Sequence, residues 1–252
     1  AKWNDIKIVL EYGMLSEPKF YEKAGDFVLY PTTENKHYTL AELKEATKDL
    51  QTDKDGKLVI LYASNKDAQH SYIDIAKEKG YEVLLLDSPI VSHLIQKLEA
   101  DNENLTFARV DADHIDKLIN KEETQISKLS DSEKETLKTS LEAVIPKAYS
   151  VQLESLDSDA TPFIITQPEF MRRMKEMSQS GGGGMFGMGN MPEMYNLVVN
   201  ANSELANSIL HAKDDAQKEL VKNALDLAKL SQGLLKGEEL TAFVKRSFET
   251  LK

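Results

Sequence analysis

The stretch LVILYASNKDAQHSYIDIAKEKGYEVLLLD (58–87) decides the fold of the first half of the chain. It holds two short apolar runs, at 58–63 and 82–87, on either side of a polar segment. Both runs have the length of a strand, and the second is as apolar as a strand that is covered on both faces. The polar segment 66–79 is of helical length and is followed by Gly80, a common residue after a helix. The stretch therefore predicts a strand, a helix and a second strand.

The same alternation continues towards the C-terminus. A second helix is predicted at 90–98, and LTFARV (105–110) is a candidate third strand. This order predicts a parallel sheet with right-handed crossovers. Such sheets often bind nucleotides, but no glycine-rich turn follows either of the first two strands, so the usual phosphate loop is missing. An enzyme domain that binds a small ligand at the strand ends stays open as the alternative function.

Before this sheet, the sequence predicts three helices. The first spans 3–12 and stops at Gly13, and the second spans 17–25. The third follows Thr39, which forms a capping box with the glutamate three residues later. A turn at 53–56 then leads into the first strand.

The second half of the chain has a different character. Residues 113–140 are charged and predicted to be helical, and a boundary is predicted near 126–132. VQLESL (151–156) and PFIITQ (162–167) are predicted strands around the turn 157–159, and YNLVV follows later at 195–199. We therefore predict a small three-layer α/β domain with a short, mostly parallel sheet (1–128). It is followed by an α+β domain that ends in a helical dimerisation hairpin (129–252).

Composition excludes several classes of function. There are 31 basic and 42 acidic residues, so the net charge is −11 and general electrostatic binding of nucleic acid is not expected. The absence of cysteine excludes disulfides, thiolate metal sites and a cysteine nucleophile. No metal site is expected, because the five histidines lack the spacing of metal ligands. No apolar run reaches the roughly 20 residues that span a bilayer, and no signal peptide is evident, so we expect a cytoplasmic protein without a membrane partner.

Methionine is the unusual residue of this chain. Seven of the eight methionines lie between 171 and 194, first on a helix predicted at 168–179 and then in a glycine-rich segment that begins at 181. A stripe of large apolar residues on one helix face usually packs in a core. Methionine is also suited to a surface that must fit many apolar shapes, because its side chain is flexible and polarizable. Both interpretations remain open from the pattern alone.

The two C-terminal helices, predicted at 214–232 and 238–251, have broad apolar faces. These faces either pack on the second domain or form a four-helix bundle between two chains. The residues concerned are Leu220, Ala224, Leu227, Leu240, Phe243, Val244, Phe248 and Leu251.

Four stretches resemble the ninety-kilodalton heat-shock chaperone family, and most closely its bacterial branch. KWNDIKIVLEYGM (2–14) and AKEKGYEVLLLDSPI (76–90) resemble the small part of the family's middle segment. KTSLEAVIPKAYSVQLESLDSDATPFIITQPEFMRRMKEM (138–177) resembles the start of its C-terminal domain, and LAKLSQGLLKGEELTAFVKRSFETL (227–251) resembles the closing helices. The resemblance implies a fragment that follows the ATP-binding domain and the catalytic arginine loop.

The resemblance also implies roles for residues. In the family the last two helices form a four-helix bundle with the partner subunit, so the eight apolar residues named above are expected to contact a second copy. An amphipathic helix projects apolar residues into the cleft where clients bind. By position in this sequence, that role is expected for Phe170, Met171, Met174 and Met177.

The resemblance further implies a stress-response chaperone whose partners are a second copy of itself and partly folded client proteins. We expect no catalytic residues and no cofactor in this fragment, because ATP and Mg belong to the full-length family members. Helical-repeat co-chaperones are not expected to bind, since the chain ends in Glu-Thr-Leu-Lys rather than in an acidic pentapeptide. A purely structural dimerisation module is a further alternative.

Overall fold

The computed structural model describes residues 3–121, 125–180 and 194–250. Their contacts group them into two compact units. The first contains the described residues of 3–121 together with 169–180, and the second contains those of 125–168 and 194–250. The described chain passes from the first unit to the second between residues 121 and 125. It returns to the first unit for 169–180, which was not predicted from the sequence.

The described residues form mixed α/β structure with several small sheets. The helices are α1 (Trp3–Ser16), α2 (Pro18–Ala24), α3 (Leu40–Gln51), α4 (His70–Glu78), α5 (Val91–Ala100), α6 (Ile115–Leu118), α7 (Asp131–Glu142), α8 (Glu169–Ser180), α9 (Glu204–His211), α10 (Asp214–Ser231) and α11 (Gly237–Thr250). The strands are β1 (Tyr30–Pro31), β2 (His37–Tyr38), β3 (Leu58–Ala63), β4 (Val83–Leu85), β5 (Leu105–Arg109), β6 (Tyr149–Glu154), β7 (Phe163–Thr166) and β8 (Tyr195–Asn200).

The first unit is built on a parallel sheet with strand order β4-β3-β5. Leu61 of β3 pairs with Val83 of β4, and Leu58 of β3 pairs with Leu105 of β5. The predicted parallel sheet is therefore confirmed. The central strand is buried from its second residue to its last, as expected for a strand with helices on both faces. One edge of the sheet, the outer side of β5, bears directly on the functional site described below.

The start of α3 and the end of α1 can be compared with the sequence predictions. The capping box before α3 is confirmed, because the Thr39 N–H donates to Glu42 Oε2 at 2.8 Å and the Thr39 hydroxyl accepts from the Glu42 N–H at 3.3 Å. The predicted stop at Gly13 is wrong, since α1 continues to Ser16. Glycine has a packing role there instead: a Cβ at this position would lie 2.9 Å from a ring carbon of Phe20.

The second unit holds a mixed sheet with the order β6-β8-β7. The two strands predicted around the turn 157–159 exist but do not pair with each other, because β8 lies between them, parallel to β6 and antiparallel to β7. Hydrophobicity explains this order. Leu197, Val198 and Val199 are fully buried, and such a strand is best accommodated in the centre of a sheet.

The charged segment 113–140 is not one helical region. Helix α6 ends at Leu118, and α7 begins only after Ser130, whose hydroxyl accepts from the Glu133 N–H in a second capping box. A capping residue requires extended backbone, so the cap at Ser130 separates the two helices. Helices α10 and α11 follow the predicted bounds closely, whereas α9 was not predicted.

Candidate functional site

Helix α8 belongs to the first unit and packs against the rest of that unit through its charged face. Glu169, Arg172, Arg173 and Glu176 have the spacing i, i+3, i+4 and i+7, which places them on one side of a helix. The Arg172 side chain is only 4% exposed, whereas Phe170 is 71% exposed. The docked face of this amphipathic helix is thus the polar one, which reverses the usual arrangement.

Arg172 occupies the centre of this contact. Its guanidinium donates to Glu169 Oε1 at 2.5 Å and to Glu176 Oε1 at 2.6 Å, one carboxylate on each side along the helix. It also donates to the hydroxyl of Tyr62, a fully buried side chain of β3. The Tyr62 hydroxyl in turn donates to Glu169 Oε1 at 2.9 Å. A charge this deeply buried is tolerated only when it is paired and hydrogen-bonded, and here it is.

Arg173 connects α8 to the free edge of β5. Its guanidinium donates to both carboxylate oxygens of Glu99 on α5, at 2.7 and 3.2 Å, and to the backbone carbonyl of Phe107 at 2.6 Å. Glu99 also accepts the Phe107 N–H at 2.7 Å. The two side chains therefore satisfy both outward backbone groups of Phe107, with which a fourth strand would otherwise pair.

Glu176 completes the contact at the C-terminal side of the arginines. It accepts from the Ser92 hydroxyl of α5 at 2.5 Å, and its other oxygen lies 3.7 Å from the Arg109 guanidinium. Arg109 is in turn held by Asp111, with hydrogen bonds of 2.5 and 2.8 Å. We call the ion pairs and hydrogen bonds of Glu169, Arg172, Arg173 and Glu176 with the first unit the α8 clasp.

The α8 clasp changes the pKa of the groups inside it. Burial alone would raise the pKa of Glu169, but the guanidinium groups of Arg172 and Arg173 outweigh burial and lower this pKa below its usual 4.5. Burial, with the nearby Glu169 charge, raises the pKa of Tyr62. Glu169 is therefore ionised and Tyr62 is a neutral hydrogen-bond donor at neutral pH.

The four predicted client-contact residues lie on the other side of α8 or towards its end. Phe170 is exposed, and Met171 and Met174 are half-buried. The side chain of Met177 and the glycine-methionine segment 181–191 lie outside the described residues. The interpretation of this stripe as a buried core is wrong for Phe170.

Sequence reasoning assigned no role to the arginines of α8. The signal was present in the spacing of the charges. Arg172 stands three residues after Glu169 and four before Glu176, which is the separation at which helical side chains form ion pairs. The partners Tyr62 and Glu99 could not be found in this way, because they are 110 and 74 residues away in sequence.

The eight predicted dimer residues have different environments. Ala224 is only 4% exposed and belongs to the core of the second unit, and Leu220 packs against that core, so these two leave little surface for a partner. Leu227, Val244 and Phe248 are 55%, 41% and 65% exposed. Leu240 and Phe243 are half-buried, and Leu251 lies outside the described residues. An exposed apolar surface therefore exists on α10 and α11, and we call Leu227, Val244 and Phe248 the tail surface.

The strand ends of the parallel sheet offer little to a phosphate. After β3, the Gln69 side-chain oxygen accepts the N–H groups of Ser64 at 2.8 Å and Asn65 at 3.0 Å. Asn65 Oδ1 likewise accepts the N–H groups of Asp67 and Ala68. The backbone donors that a phosphate loop would direct at a ligand are already used inside this turn.

Within 3–121, 125–180 and 194–250, no group of three or more histidine or carboxylate side chains could hold a metal ion. In the same residues, no helix combines the length and the hydrophobicity that crossing a membrane requires.

The curated proteins that resemble this chain carry the same name, although no family model matches the chain. The chaperone protein HtpG of Bacteroides thetaiotaomicron is 36% identical over 319 aligned positions, which cover 99% of this chain and 47% of the relative. HtpG of Bacteroides fragilis strain 638R is 44% identical over 83% of this chain and 31% of the relative. HtpG of Porphyromonas gingivalis strain W83 is 41% identical over 94% of this chain and 35% of the relative.

The chain spans less than half the length of these curated relatives. The similarity nevertheless extends over most of the chain and agrees with the four resembling stretches. The chain belongs to the HtpG family of ninety-kilodalton heat-shock chaperones.

Proposed function

We propose that this chain is a chaperone segment that forms homodimers and offers the apolar face of α8 to partly folded proteins. The named relatives are chaperones, which supports the general activity. The single observation that carries the proposal is the orientation of α8. Its charged face is docked while Phe170 is 71% exposed, so the apolar side of the helix is available to another polypeptide.

The chemistry of this face suits clients of varied shape. Phe170 supplies a large rigid apolar surface, and Met171 and Met174 supply flexible, polarizable side chains that adapt to different partners. Such a surface binds each client weakly. Two copies held together gain avidity, because a client bound to one copy meets the second at a high effective concentration.

The tail surface supports the second half of the proposal. Its three apolar side chains are between 41% and 65% exposed on neighbouring helices at the C-terminal end of the described chain. A symmetric pair of such helix hairpins buries both copies of the surface in one four-helix bundle. We place this activity in the cytoplasm and expect the segment itself to bind no ATP and no Mg²⁺.

The test removes the apolar face of α8 and leaves the rest of the chain unchanged. The variant Phe170→Ser/Met174→Ser is compared with Phe27→Ser/Leu50→Ser, which removes two side chains that are 56% and 46% exposed elsewhere in the first unit. Binding is measured by fluorescence anisotropy with reduced, carboxymethylated α-lactalbumin as the unfolded probe. Molar mass is measured by light scattering in parallel.

We expect the α8 variant to bind the probe at least roughly tenfold more weakly, the effect of losing about 1.4 kcal/mol of contact, and to keep its molar mass. The control variant should bind as the parent does. Equal binding by parent and α8 variant would remove α8 from the proposal and favour a purely structural dimerisation module. The small-ligand enzyme is supported by no observation described above.

A further inference from the structure

We propose that Arg172 and Arg173 are positioning residues: through the α8 clasp they fix the rotation of α8, and so keep Phe170 turned away from the first unit. This inference rests on the proposed function, because it concerns how the same surface is presented. Neither arginine needs to touch a client for this role, since both act through the placement of their neighbours on the helix.

Burial of Arg172 is the first argument. A guanidinium that is 4% exposed must keep its ion pairs, and both of its carboxylate partners, Glu169 and Glu176, are carried by the same helix. The three charges therefore enter or leave the contact together. Turning α8 by one residue would place either Met171 or Arg173 against the Tyr62 hydroxyl, and in both cases it would separate buried charges from their present partners, which is strongly unfavourable.

The contact of Arg173 with the backbone is the second argument. Its planar guanidinium reaches two oxygens of Glu99 and the Phe107 carbonyl at the same time. A backbone carbonyl within a strand cannot move to follow a side chain, so this bond defines the position of the helix along β5. Lysine cannot reproduce three donors in one plane.

Fixing the rotation favours binding of clients. A helix that is already held with its apolar face outward loses little freedom when a client binds, whereas a free helix must be ordered at that moment. A freed α8 can also turn Phe170 and Met174 back against its own unit and hide the surface. We therefore expect loss of the α8 clasp to weaken client binding, although no client contact is removed.

The experiment breaks the clasp and then replaces it with a covalent tether. Arg172→Met/Arg173→Met removes both guanidinium groups and keeps most of the aliphatic volume. Because the chain has no cysteine, Ser92→Cys and Glu176→Cys introduce a unique pair of thiols where the native side chains are 2.5 Å apart. Dibromobimane, a short crosslinker that becomes fluorescent on double reaction, then reconnects α8 to α5. The unfolded probe is again reduced, carboxymethylated α-lactalbumin.

We expect the double methionine variant to exchange the amide hydrogens of α8 faster. It should bind the probe about fivefold more weakly, a difference of about 1 kcal/mol, because binding must then also order α8. The tether should restore affinity to within about twofold, a difference of under 0.5 kcal/mol. The double methionine variant that carries the two cysteines but has not been crosslinked should still bind the probe weakly. This rescue separates positioning from contact, because the tether returns the helix to its place without returning a guanidinium.

Unchanged binding by the double methionine variant would overturn the inference, and so would a tether that forms but does not restore affinity. If the double variant fails to fold, Glu99→Gln provides the milder perturbation, and the same two measurements apply. The outcome is distinguishable from failure of the proposed function, because that function fails only if Phe170→Ser/Met174→Ser binds as the parent does.

Discussion

Phe248 provides the sharpest test of the tail surface. It is 65% exposed on α11, more than any other large apolar side chain described on α10 and α11. We predict that Phe248→Ala shifts the equilibrium of the proposed homodimer towards monomers, while each chain stays folded. The folded monomer should tolerate the change, because the core of the second unit is built from other residues.

The expected loss of dimerisation free energy follows from the exposed fraction of the Phe248 side chain. Full burial of a phenylalanine is worth about 1.5–3 kcal/mol, so burial of the exposed 65% is worth about 1–2 kcal/mol. A two-fold interface uses the side chain twice, which gives about 2–4 kcal/mol per dimer. The dimer Kd should therefore rise roughly 30- to 1,000-fold.

The assay is sedimentation equilibrium over a range of concentrations, with Phe27→Ala as the matched control. Phe27 is 56% exposed in the first unit, so the control removes a comparable apolar surface outside the tail surface. We expect its Kd to equal that of the parent chain. A Phe248→Ala chain that stays as dimeric as the parent, or a Phe27→Ala chain that dissociates, would refute the assignment of the tail surface.

Two further predictions concern the first unit. The folded-state pKa of Glu169 is lowered from 4.5, so its contribution to the α8 clasp is fully present above pH 4.5 and is lost as the pH falls through that lowered value. The protection factors of the α8 amides, corrected for intrinsic exchange and compared with those of α5 in the same sample, should therefore fall selectively in acid, and Glu169→Gln should lose this pH dependence. A parent chain with pH-independent protection of α8 would contradict the prediction. Gly13→Ala should lower the free energy of unfolding by about 1–3 kcal/mol in urea titrations, because the added methyl would lie 2.9 Å from the Phe20 ring. Gly25→Ala, whose added methyl would have a nearest contact of 3.5 Å, should be close to neutral, and equal effects at both positions would exclude the steric explanation.

The parallel sheet was predictable because its signals are local. Each strand is a short apolar run, a helix of ordinary length separates successive strands, and the connection rule fixes the hand of each crossover. The rule does not fix the strand order β4-β3-β5, which only the structure gives. The sheet of the second unit was less predictable. Because β6 and β7 are neighbours in sequence, a hairpin between them is the simplest expectation. The strand pairing shows instead that β8 lies between them, and the burial of Leu197, Val198 and Val199 agrees with that central position.

The two sides of α8, the candidate site, also differ in how far the sequence predicts them. The apolar side of α8 is visible in the sequence as a stripe of methionine and phenylalanine. Its docked side was not, because an arginine in sequence reads as exposed unless its partners are known. Tyr62, Glu99 and Phe107 meet the helix only through the tertiary fold, over separations of 66 to 110 residues.

The hydrogen bonds from Glu99 and Arg173 to Phe107 have a consequence for self-association. Strand β5 borders its sheet, and an unprotected border recruits strands from other molecules and seeds insoluble aggregates. Helix α8 therefore covers part of this border and protects the chain from self-association through β5. Arg173→Met removes the hydrogen bond to the Phe107 carbonyl and leaves the rest of the chain intact, and this variant should precipitate at concentrations that the parent chain tolerates.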